Sequence, residues 1–152
     1  MPSGAPEGRE PVVLQAPFHP FNLEASMSYS VEHLAGEDII LARFNGEADL
    51  PALKEFLYEI VRLAVETGCM HILTDLCEAE LRVSVADLYY LPNTIAHDVK
   101  RAGGNIYRLK RAFVVSKNDE IWNFYEDVSA NRSFSTKKFH DIESAKRWLL
   151  SE

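Results

Sequence analysis

Apolar and polar positions along this chain follow two periods in turn. Residues 29–34 and 39–44 read as strands, with Ala35-Gly36-Glu37-Asp38 as the turn between them. A turn that short joins antiparallel neighbours, so the first prediction is a hairpin. Asn45-Gly46 is expected to end its pairing. The period then changes. Leu53, Phe56, Leu57, Ile60 and Ala64 fall at helical spacing, while Lys54, Glu55, Glu59, Arg62 and Glu66 take the opposite face. Asp49 is placed to cap this helix, Pro51 is tolerated in its first turn, and Gly68 stops it.

The alternation continues to the C-terminus. Residues 70–74 (MHILT) are short and mostly apolar, as a buried strand is. Ser84 opens the next helix, whose stripe is Leu88, Leu91, Ile95 and Val99. Pro92 removes one of its backbone hydrogen bonds and predicts a kink, and Gly103-Gly104 ends it. Residues 112–115 (AFVV) form another buried strand. Asn118 is expected to cap a helix carrying Ile121, Trp122, Tyr125 and Val128. Residues 136–140 make the last strand, and Asp141 caps a final helix with Ile142, Ala145, Trp148 and Leu149. Strands alternating with amphipathic helices pair in parallel through right-handed crossovers. The expected fold is therefore α/β: a mixed sheet of about five strands, an N-terminal antiparallel hairpin and a parallel remainder, with about four helices.

Residues 1–26 show neither period. They hold Pro2, Pro6, Pro11, Pro17 and Pro20, five of the seven prolines in the chain, which rules out a regular helix or central strand there. A flexible leader is expected, with an apolar patch at Val12-Val13-Leu14, Phe18 and Phe21 able to dock on the domain or a partner. The globular domain is expected over residues 27–152, and Met27 stands as a candidate start.

Length and charge narrow the functional classes. With 152 residues, 47% of them hydrophobic, one domain can bury a core without disulfide or metal support. A formal charge of -7 argues against nucleic acid and anionic membrane surfaces, both of which need a basic field. The one basic grouping, Arg101, Arg108, Lys110 and Arg111, reads as solvated residues around the start of a strand. Cys69 and Cys77 bracket a predicted strand, and a rise of about 3.3 Å per residue holds them too far apart to bridge. Reduced thiols in a cytoplasmic protein are expected. No apolar run approaches the roughly 20 residues of a membrane span, and the N-terminus lacks the pattern of a secretory signal.

Candidate chemistry is sparse. His19, His33, His71, His97 and His140 are scattered without metal-ligand spacing, and no glycine run would cradle phosphate, so neither a metal nor a cofactor is expected. Asp75 falls at the carboxyl end of a parallel strand, where α/β sheets place functional groups; ordering the next loop is its simpler role. Cys77 follows two residues later with no base placed beside it. An enzymatic reading would rest on these two residues alone, and a non-enzyme is expected. Tyr89 and Tyr90 fall beside Pro92 on a helix already using other residues for its core. Their apolar area and polar tips suit an interface. Ser116 and Lys117 close a strand beside the same loop and could neighbour a partner or ligand.

Four segments carry a family resemblance: the Asn45-Gly46 strand exit, the LTD ending at Asp75, the RAFVVS at 111–116, and the closing KFHDIESAKRWL that begins at Lys138. With this element order, residues 27–152 resemble the STAS domain of anti-sigma-factor antagonists, in its SpoIIAA-like branch, which is also similar to the lipid-transfer SEC14 domain. The resemblance implies the SpoIIAA-like fold, a regulatory role without catalysis, and a kinase-like or sigma-related protein partner. It also implies a phosphorylatable serine at the start of the helix after the third strand, the position of Ser84. The family's Asp-Ser-Ser/Thr-Gly cluster is replaced here by Val83, Ser84, Val85 and Ala86. Ser84 therefore has two readings, a phosphoswitch or an N-cap forming a near capping box with Asp87. The β-branched neighbours favour a packed, unmodified cap. A second functional reading is a SEC14-like carrier of a small apolar ligand, which needs a closed cavity of about 300 Å³ or more. A homodimer through the unpaired edge of the hairpin is a further expectation.

Overall fold

The computed structural model describes residues 13–15 (as backbone), 27–116 and 120–151. Lys117, the Asn118 cap, Val12, Phe18 and Phe21 lie outside the described residues. Within them the hairpin forms as expected, from β2 (Met27–Leu34) and β3 (Ile39–Asp49), antiparallel with Val31 opposite Ala42. Asp38 takes the left-handed conformation that closes the turn (φ 57°), and its N–H donates to the Leu34 carbonyl at 2.8 Å.

The hairpin's pairing ends at Asn45-Gly46 as expected, with Met27 opposite Gly46, but β3 itself runs on to Asp49. Gly46 bends the strand at φ 94°, a value open to glycine, and its N–H donates to the Glu78 carbonyl at 2.9 Å. Beyond the bend a new partner takes over. Parallel strand β4 (His71–Asp75) pairs with Ile40–Arg43, and β5 (Ala79–Arg82) then pairs with Gly46–Asp49 along the same edge. The segment 76–82, expected to be a loop, thus contains a strand. Its half-buried Ala79 and Leu81 alternate with exposed Glu80 and Arg82, a period-2 signal only four residues long.

The remaining strands are β6 (Lys110–Val114) and β7 (Ser135–Phe139), both parallel to their neighbours. With β1 (Val13–Gln15) on the outer edge, the order is β1-β2-β3-β4-β6-β7, and β5 lies beside β3. The sheet has seven strands where about five were expected. β1 pairs antiparallel with Ser30–Glu32 of β2. That stretch of edge, read as bare and open to a second copy, is therefore occupied by the chain's own backbone.

Four helices cover the sheet. α1 (Leu50–Thr67) starts at Asp49, whose side chain accepts the Ala52 N–H, and stops at left-handed Gly68. α2 (Val85–Arg101) runs through Pro92, which is buried. With α3 (Glu120–Asn131) they pack one face through Phe56, Ile60, Leu88, Leu91, Ile95 and Tyr125. α4 (Ile142–Leu149) covers the other face, where Ala145 and Leu149 meet Ile39, Leu73, Ala112 and Val114. The result is three layers around a sheet buried on both sides. α1 and α2 approach closely at Gly104, where a Cβ would lie 3.0 Å from methyls of Val65 and Val99. A cluster of Tyr29, Phe44 and Phe56 fills the space between the hairpin and α1, with ring centres 5.2 to 6.2 Å apart.

Candidate functional site

The C-terminal ends of the parallel strands bring three sequence candidates into one corner. Asp75 ends β4 with both carboxylate oxygens engaged. One accepts the Cys77 N–H at 3.1 Å, and the other accepts the Arg43 Nε–H at 3.2 Å. The first bond shapes the turn into β5. The second is a partly exposed ion pair, a geometry whose usual worth is about 0–1 kcal/mol. Ser116 donates its hydroxyl to the Cys77 carbonyl at 3.4 Å. Burial, then the hydrogen bond and charge of Asp75, push the Cys77 thiol up to about 11. It keeps its proton at neutral pH, the opposite of an activated nucleophile. Cys77 and Ser116 line an open cleft of about 430 Å³ with the β4–β5 turn, Ile121 and Trp122. Asp75 is not among the cleft's walls.

Ser84 sits at the exposed start of α2, reached directly from β5 through Val83. Both halves of a capping box are formed: Ser84 Oγ accepts the Asp87 N–H at 3.0 Å, and Asp87 Oδ2 accepts the Ser84 N–H at 3.1 Å. The packed serine expected from its neighbours is corrected. Val85 and Ala86 point outward with it, because the buried stripe of α2 begins only at Leu88.

The next turn carries the tyrosines. Tyr89 is 45% exposed and Tyr90 62%, and their rings meet edge to face with centres 5.0 Å apart. The Arg132 guanidinium lies 4.8 Å from the Tyr89 ring centre, a cation–π contact that fixes the ring. Val85, 57% exposed and one helical turn before Tyr89, extends them into an apolar ledge. Nothing in the linear pattern singles out Val85, since periodicity alone does not tell which helix face lacks a neighbour.

Other expectations change with the packing. Lys110 and Arg111, read as solvated, are engaged. Lys110 Nζ lies over the Trp148 ring and donates to the Ser151 carbonyl at 3.0 Å. Arg111 is 9% exposed, beneath the helices. The cavity between the sheet and α1, α2 and α3 holds about 50 Å³, well short of the size set for a carrier of apolar ligands. His33, Asp38 and Cys69, unrelated by spacing in sequence, bring ligand-type atoms within 4.8 Å of one another. Burial pushes the Cys69 thiol up to about 11, and it donates to the His71 carbonyl at 3.5 Å. The thiol is thus held protonated, and a metal binding there would have to displace that proton. Both cysteines are free. Among the described residues, no helix is long and apolar enough to cross a membrane.

These elements define a three-layer α/β domain with a mixed sheet, the class of fold expected from the sequence. In fold the chain is similar to the anti-sigma factor antagonist SpoIIAA in its unphosphorylated form, with a TM-score of 0.47 and 11% identity over 76% of this chain and 91% of that one. It is likewise similar to the Bacillus cell-fate determinant SpoIIAA in the phosphorylated form, with a TM-score of 0.46 and 13% identity over 79% of this chain and 98% of that one. No protein-family model and no curated protein matches the sequence.

Proposed function

We propose that this chain is a non-enzymatic regulatory domain of the cytoplasm that docks a protein partner on the ledge of Val85, Tyr89 and Tyr90. One observation carries the reading: three large side chains with apolar surface are exposed within six residues of one helix. Clustered exposed aromatic area is what interfaces use, since tyrosine buries apolar surface at low entropic cost and keeps a polar tip. The sequence resemblance supports a kinase-like or sigma-related partner, and the net charge of -7 weighs against nucleic acid.

Ser84 acts in this reading as a cap and not as a switch. Its oxygen is already bonded to the Asp87 N–H, and the Asp87 carboxylate sits against its own backbone N–H. A phosphoryl group of charge about -2 would be placed beside that carboxylate, and the repulsion offsets the pull of the helix dipole. Catalysis is left without a group to perform it at this corner, because Asp75 is bonded at both oxygens and Cys77 is protonated.

Affinity capture tests the proposal. Tagged wild-type protein and a Val85→Ser/Tyr89→Ser/Tyr90→Ser variant are cross-linked in their native lysate, and bound proteins are identified by mass spectrometry. The variant is expected to fold normally and to lose the wild-type partner. A partner retained at wild-type yield removes the ledge from the mechanism. Incubating the recovered partner with ATP should leave Ser84 unmodified, and stoichiometric phosphate at that residue would restore the switch reading.

A further inference from the structure

Arg111 is a buried cation with no anion beside it among the described residues. It lies on β6 opposite Ile72 of β4 and Thr136 of β7, under α3. Its guanidinium donates to Thr136 Oγ1 at 2.8 Å and to the Tyr125 hydroxyl at 3.4 Å, and both acceptors are neutral. These two bonds engage both terminal nitrogens of the guanidinium but bring it no counter-charge. Among the described residues no carboxylate pairs with it, although the chain has 23 acidic residues to draw on. An uncompensated buried charge is among the most destabilising features a core can hold. A fold that retains one gains from a ligand that neutralises it.

Arg111 also lines the cavity of about 50 Å³ between the sheet and the three helices. Among the described residues, the other side chains there able to hydrogen-bond are Thr74, Trp122, Tyr125 and Thr136, and the remaining walls are apolar, with Phe56, Ile60, Leu91, Ile95 and Phe113 prominent. We propose that this cavity is a binding site for a small aliphatic monocarboxylate, its carboxylate on the Arg111 fork and its alkyl group against the apolar walls. A carboxylate matches the planar guanidinium through two parallel hydrogen bonds. Phosphate fits poorly, because among the described residues Arg111 is the one cation in the lining and the largely apolar walls leave a second negative charge uncompensated. Volume sets the size. About 50 Å³ is close to the liquid share of two water molecules, about 30 Å³ each, which limits the ligand to the shortest carboxylates, acetate first. The assignment is independent of the ledge, which lies outside the cavity's walls.

Thermal unfolding and calorimetric titration of the full chain with sodium acetate, propionate and butyrate, at fixed ionic strength, test this. Binding to the folded state alone raises the melting temperature saturably with ligand concentration. Butyramide, sodium phosphate, sodium chloride and octanoate are run alongside as the neutral isostere, the competing anions and the longer chain. The expected result is saturable stabilisation by at least one of the short carboxylates and by none of the other four. Arg111→Met is expected to melt at or above the wild-type temperature and to lose the response, with affinity lower by about tenfold or more. Ile95→Phe, which fills the cavity and leaves the charge in place, is expected to lose it too, and this keeps the test decisive if Arg111→Met fails to fold. The assignment is overturned if no short carboxylate gives a saturable shift, leaving water alone to solvate the guanidinium. It is also overturned if phosphate or chloride acts as well, if octanoate binds more tightly, or if either folded variant responds as wild type does.

Discussion

Replacing Ser84 with alanine isolates the role of this residue. The substitution removes the acceptor of the Asp87 N–H and leaves the reciprocal bond from the Ser84 N–H to the Asp87 carboxylate intact. The orphaned N–H is exposed and regains water, so the loss is that of one N-cap, about 1 kcal/mol. For a domain of this length that corresponds to a fall in melting temperature of about 3–4 °C. Ser84→Asn keeps an acceptor at the same position and should fall by less than half as much, and Ser84→Gly should cost only a few tenths of a kcal/mol. Ser84→Asp also keeps an acceptor and gains from the helix dipole, but it sets a second carboxylate beside Asp87, so it should lie between asparagine and alanine. Thermal and urea unfolding followed by circular dichroism measure the series. Alanine and asparagine variants that melt together, or an alanine variant that melts with wild type, would refute the cap as the serine's structural role.

Three further outcomes follow from the packing. Gly104→Ala drives a methyl to 3.0 Å from Val65 and Val99, in the contact between α1 and α2. It should cost about 1–3 kcal/mol by overpacking in chemical denaturation, and an unchanged midpoint would show that the two helices yield freely. Phe56→Ala opens the aromatic cluster with Tyr29 and Phe44 and should cost about 3–5 kcal/mol; a loss under about 1 kcal/mol would mean the hairpin collapses onto α1 without it. Cys69 and Cys77 both have thiols raised from an ordinary value of 9.0 to about 11. Alkylation of the folded protein should therefore be slow at neutral pH and accelerate between pH 9 and 11. The sign for stability follows from the same shift. The unfolded thiols release their protons first, so the stabilisation is complete below pH 9 and is lost as pH rises toward 11. Rapid alkylation at pH 7 would contradict both statements.

Much of the architecture was legible because it follows from local pattern. The stripe Leu53, Phe56, Ile60 and Ala64 fixed α1, with Asp49 and Gly68 as its ends, and all of these hold in the structure. Apolar runs at 70–74 and 112–115 marked buried parallel strands, and both lie in the sheet's interior. Asp141 and Ser84 signalled helix starts through side chains that bond their own backbone, a contact made within four residues.

Local pattern thus specified most of the elements, their order and the class of fold they form, since each depends on neighbours three or four residues away; the short strands β1 and β5 escaped it. Tertiary structure alone decided which faces remained without a partner. β3 continues past Gly46 because Glu78, just before β5 and more than thirty residues later, accepts its N–H. Val85, Tyr89 and Tyr90 form a ledge because, among the described residues, no helix packs over that turn of α2, and Arg111 is a core cation because α3 closes over β6. Burial and the pairing of charges are properties of distant segments brought together. A linear pattern carries no term for them.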